Sequence, residues 1–125
     1  MQVGSIHANW AWVVVIANAI AGVWAMTAHW QLSLRTPWLW RYTIAAQATI
    51  FVQAVLGAWM VGVEGIVAPG LHMFYGFIAL FTVGMIYAYR TQVIDRLYLL
   101  YGGGGLFLMG LAIRAMLLNA PAVAG

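Results

Sequence analysis

Two histidines, His7 and His72, each stand where a long apolar stretch of the sequence begins. An imidazole nitrogen is a ligand for iron, and its other ring nitrogen can be held by a backbone carbonyl or a water. Two such rings at one depth on two parallel membrane helices can bind a single haem b iron from both axial sides. Gly76, one helical turn beyond His72, leaves room for a flat macrocycle beside that ring. Arg114 offers a planar pair of donors to a carboxylate, which is either a haem propionate or the side chain of Glu64. The plainer account leaves both histidines uncoordinated at a membrane interface, where polar residues of a first helical turn are common. The third histidine, His29, has no second histidine on its side and reads as interfacial.

Membrane helices must position these residues. The chain has 125 residues, 66% of them hydrophobic and only 6% charged, too few charges to wet the surface of a soluble domain of this size. Its uncharged blocks run from Met1 to Leu34, Tyr42 to Val63 and Gly65 to Tyr89, and a last one from Leu97 to Leu118 is interrupted only by Arg114. Each reaches the roughly 20 residues that cross about 30 Å of hydrocarbon as a helix. The sequence therefore predicts an all-α integral membrane protein: a single domain, residues 1–125, folded as an up-down bundle of four transmembrane helices. The expected spans are His7–Ala28, Tyr42–Val63, Gly70–Arg90 and Leu97–Leu118, with Pro37 in the first loop. The first block has no basic leader region and is too long for a cleaved signal peptide, so it is expected to stay as a membrane helix. There is no cysteine, and no basic run that would suit nucleic acid.

Orientation follows from the loops. Arg35 and Arg41 lie in the first loop, Arg90 and Arg96 in the third beside Asp95, and Glu64 without a base in the second. Basic loops stay in the cytoplasm, so both termini are expected outside. His7, Glu64, His72 and Arg114 then converge on the outer face. At 100° per residue each helix has one stripe of polar and small residues expected to face the bundle. These stripes are His7, Asn18 and His29; Gln53, Gly57 and Glu64, with Thr49 nearby; His72, Gly76, Ala79 and Val83; and Gly103, Phe107, Gly110 and Arg114. Trp10, Trp12, Trp30, Trp38, Trp40 and Tyr98 are expected as interfacial anchors. The run Gly102–Gly105 has neither the spacing nor the lysine of a phosphate loop. It is expected to bring helix 4 close to a neighbouring backbone, within the bundle or in another subunit.

The stretch "QAVLGAWMVGVEGIVAPGLHMFYG" resembles the part of the haem A synthase family in which a glutamine-and-glycine helix leads to a haem-ligating histidine, matched here by Gln53, Gly57, Pro69 and His72. "GSIHANW" is similar to the family's earlier outer-face histidine, matched by His7. The resemblance spans helices 1 to 3 and implies one four-helix half of that architecture, with haem b between His7 and His72. Where the family carries an acid before its first histidine and an arginine after it, this chain has Gly4 and Ala8. A single half without those residues is not expected to synthesise haem A.

Three classes of function follow. The first is a haem b protein serving electron transfer or carrying haem as an accessory subunit, without enzymatic activity of its own. The second is a cofactor-free subunit packed through its glycine-rich helix 4 against a larger respiratory or photosynthetic complex. The third is a small dimeric transporter, disfavoured because helix 1 lacks a membrane-embedded acid. A bacterial-type inner membrane is the expected location.

Overall fold

The structure, a computed structural model, describes residues 3–124, with side-chain surroundings as far as Leu118. It is all-helical across the described residues: α1 (Val3–Trp30), α2 (Pro37–Gly62), α3 (Gly70–Tyr89) and α4 (Leu97–Ala124), with short 3-10 turns at Leu32–Leu34 and Ile94–Arg96. All four helices are long and apolar enough to cross a membrane.

Helices α1 and α4 run past the expected ends, and α2 starts at Pro37 rather than Tyr42. Pro37 is expected in the first loop. It instead occupies the first turn of α2 behind extended Thr36, a position where its missing N–H has no helical partner to lose. At the other end of α2, Gly65 has φ +71°, and the reversal there lets the Ile66 N–H reach the Met60 carbonyl at 3.0 Å.

Packing is uneven. α1 packs most closely on α4 and also on α2, α3 packs on α4, and α2 touches α3 only sparingly. Helices α1 and α3 therefore lie diagonally across the bundle, as the up-down topology requires. The α1–α4 contact is backbone on backbone. A Cβ added at Gly105 would lie 2.8 Å from Gly22 Cα, and one added at Gly102 would lie 2.7 Å from the Met26 nitrogen. The glycine run thus serves a contact within the chain. Around it gather Val14, Ile50, Ala79, Val83, Ile86, Leu108 and Leu111, and a second cluster of Ala25, Ala28 and Leu39 fills the end where α2 begins. Phe77, Ile44, Val55 and many other large apolar side chains point outward, a surface that suits lipid and not water.

The expected inward face of α4 is corrected here. Gly103, Phe107, Gly110 and Arg114 are exposed, and the buried residues are Gly102, Gly105, Leu108 and Leu111. The expected stripe was fixed by the cost of placing Arg114 in lipid. The close approach of α4 to α1 fixes the real one, which at 100° per residue centres about 160° away, on the opposite side of the helix. The aromatic anchors also divide. Trp12, Trp30 and Trp38 are exposed, whereas Trp10 donates through Nε1 to the Thr49 carbonyl at 2.8 Å and Trp40 stacks on Tyr98 and Tyr101.

Candidate histidine site

His7 lies in the second turn of α1, and His72 in the first turn of α3, which begins after extended Pro69. The two helices start at the same end of the bundle, and the structure brings the two rings together. Their centroids are 6.1 Å apart and their planes inclined by 74°. This is the juxtaposition expected from matched depth.

His72 is held through its ring and His7 through its main chain. His72 Nδ1 stands 2.8 Å from the main-chain oxygen of Ala115 on α4. A carbonyl can only accept, so Nδ1 carries the proton and donates it, which in the neutral ring leaves the Nε2 lone pair free. His7 is tied through its main chain, its carbonyl accepting from Gln53 Nε2 on α2 at 2.9 Å. Its Nδ1 is buried with no hydrogen-bond partner, and so is Gln53 Oε1. Gly57 clears the ring from the α2 side, where an added Cβ would stand 3.4 Å from His7 Cε1.

The remaining expected site residues fall outside this pair. Gly76 is exposed, with no atom within 4 Å of where its Cβ would be, so it faces open space and not a neighbour. Arg114 directly precedes the residue whose carbonyl holds His72 and so stands at the level of the pair, but on the exposed side of α4. It does not turn into the bundle as expected, and Glu64 is exposed as well. A long side chain near a helix end can run its methylenes along the surface and carry its charge outward, which removes the need for a buried acid. His29 lies at the opposite end, edge-on to Trp30, with its carbonyl accepting from Arg35 Nη2 at 2.7 Å.

Lower in the bundle, Asn18 is almost wholly buried and donates through Nδ2 to the carbonyls of Val14 and Ala46, joining α1 to α2. Both residues were expected to face the bundle, and Gln53 makes an interhelical bond of the same kind. The Ala115 carbonyl had no sequence signal, since any residue at that position supplies one. Among the described residues no three side chains of histidine, cysteine, aspartate or glutamate cluster closely enough to hold a metal ion by themselves. Comparison with models of known families, with curated proteins and with solved structures gives no match.

Proposed function

We propose that this chain spans a bacterial-type inner membrane with both termini outside, and binds haem b between His7 and His72 for electron transfer or as a haem-carrying subunit. The observation that carries the reading is the 6.1 Å separation of the two rings. An imidazole nitrogen sits about 2 Å from its metal, so two imidazoles on opposite sides of one ion have ring centres roughly 6 Å apart.

The donor set favours haem over a bare ion. Two nitrogens fill only half of a tetrahedral shell, and among the described residues no third ligating side chain stands near enough to help. A haem would need only two ligands from the protein, which His7 and His72 would supply, and it would bring reversible one-electron chemistry to the site.

The chain's own residues do the positioning. The Ala115 carbonyl fixes the His72 tautomer with Nε2 bare, the arrangement that outer hydrogen bonds impose on ligating histidines. The unpartnered His7 Nδ1 is explained in the same way, because a proton there has the equally unpartnered Gln53 Oε1 as its natural acceptor and His7 Nε2 is then left for the metal. Gly57 keeps a side chain away from the His7 ring. Arg114 stands at the same level as a cation for a propionate at the rim. The four loop arginines at the opposite end set the orientation by the positive-inside rule.

The test is a visible spectrum of protein expressed with ample haem, oxidised and then reduced with dithionite. A sharp Soret band with split reduced α and β bands is expected, lost in His7→Ala and in His72→Ala and kept in His29→Ala. A colourless protein that is still helical and monodisperse overturns the haem reading, and leaves a cofactor-free subunit that packs against a larger complex.

A further inference from the structure

At the end of the bundle away from His7 and His72, a cleft of about 270 Å³ opens between the start of α2, the α3–α4 connection and the start of α4, lined by Trp40, Arg90, Thr91, Ile94, Leu97 and Tyr101. We propose that this cleft holds the headgroup of one anionic phospholipid. The proposal rests on the membrane placement above and is independent of haem.

Charge points to an anion. This end carries Arg35, Arg41, Arg90 and Arg96 against one acid, Asp95. The contacts these arginines make leave their charge in place. Arg35 donates to the carbonyls of Ala28 and His29, and Arg90 donates through Nη1 to the Tyr87 carbonyl at 2.6 Å. Arg35, Arg41 and Arg90 stack on the rings of Tyr98, Trp38 and Tyr87. Carbonyls and aromatic faces orient a guanidinium without neutralising it. Arg90 is therefore held at the cleft by one of its nitrogens and one face, with its remaining N–H groups free for phosphate oxygens.

The other walls favour a lipid over free phosphate. The Thr91 hydroxyl is a second donor, while Trp40, Tyr101, Ile94 and Leu97 are surfaces for glycerol and the first methylenes. Trp40 and Tyr101 are fixed against each other, their ring centres 5.0 Å apart, so this part of the cleft is preformed. The volume suits a phosphodiester headgroup and excludes two whole acyl chains, which must leave along the apolar helix faces. A basic pocket between membrane helices at the positively charged end is a recurrent headgroup site.

The experiment is native mass spectrometry of detergent-solubilised full-length protein titrated with phosphatidylglycerol, with phosphatidylcholine of the same acyl chains, and with inorganic phosphate. One retained phosphatidylglycerol is expected, preferred over phosphatidylcholine by about tenfold, the size of a charge-assisted hydrogen-bond pair. Arg90→Gln should weaken retention by about as much, and Arg96→Gln, the same charge change outside the cleft lining, by no more than about twofold. Thr91→Val is the second variant, expected to weaken retention about threefold, and it carries the test if Arg90→Gln does not fold. Equal losses in Arg90→Gln and Arg96→Gln, equal retention of the two lipids, or displacement by millimolar phosphate would each overturn the proposal. Release of the protein from membranes by alkaline carbonate would instead overturn the membrane placement.

Discussion

Gln53 on α2 holds the main chain of His7 on α1, its Nε2 donating to the His7 carbonyl at 2.9 Å, while its own Oε1 and the His7 Nδ1 both lie buried without partners. One amide thus links two helices at the level of the histidine pair. Gln53→Leu removes that link and is expected to lower stability by about 0.6 kcal/mol, and by no more than about 1.7, the range measured for hydrogen bonds between membrane helices. If Oε1 also orients the ring, the reduced spectrum of Gln53→Leu should broaden while that of Gln53→Glu stays sharp. Thermal unfolding in detergent and the visible spectrum read the two effects separately.

The glycines of α4 should divide sharply by position. Gly105→Ala places a methyl 2.8 Å from Gly22 Cα, so two backbones must part, and a loss of about 1–3 kcal/mol is expected for such overpacking. Gly103 and Gly110 face open space, and their alanine variants should gain roughly 0.5–1 kcal/mol from reduced chain entropy. Equal melting shifts for Gly105→Ala and Gly103→Ala would contradict the α1–α4 packing.

Arg114 is exposed, so Arg114→Gln should change stability by less than about 0.5 kcal/mol, far below the roughly 3–5 kcal/mol that follows removal of one member of a buried ion pair. Urea or thermal unfolding of the variant decides between the two. A large loss would return Arg114 to the bundle interior.

Topology is open to labelling because the natural chain has no cysteine. Single variants Thr36→Cys and Ile66→Cys fall in loops at opposite ends of the bundle. In intact cells a membrane-impermeant maleimide should label the second and spare the first. Equal labelling of both would overturn the proposed orientation.

Helix number and apolar character were legible in the sequence because they depend on uncharged length, which composition reports directly. The meeting of His7 and His72 was legible as well, since connectivity fixes depth and both begin helices running the same way. Rotation of a helix about its axis was harder to read. On α1 and α2 the polar residues Asn18 and Gln53 face inward, because a hydrogen-bonding side chain has few partners in lipid. On α4 the same rule misled: Arg114 is long enough to carry its charge outward, and Gly102 and Gly105 set the face through the absence of side chains. Adjacent glycines in a run of four look alike, so only the packed structure shows that Gly102 and Gly105 meet α1 backbone, Gly104 meets the Ile86 side chain and Gly103 meets nothing. The Ala115 carbonyl left no trace in residue type at all.

The glycine contact also has a consequence in time. On the membrane placement proposed above, a ribosome delivers α1 to the membrane before α4, yet these are the two helices that pack most closely. Until α4 arrives, the small surface around Gly22 has lipid for a neighbour, and His72 lacks the Ala115 carbonyl that orients it. On that placement, the orientation of His72 by Ala115 is a late event that waits for α4. A chain stopped before Leu97 should reach the membrane but remain unable to present both imidazoles to a common ligand.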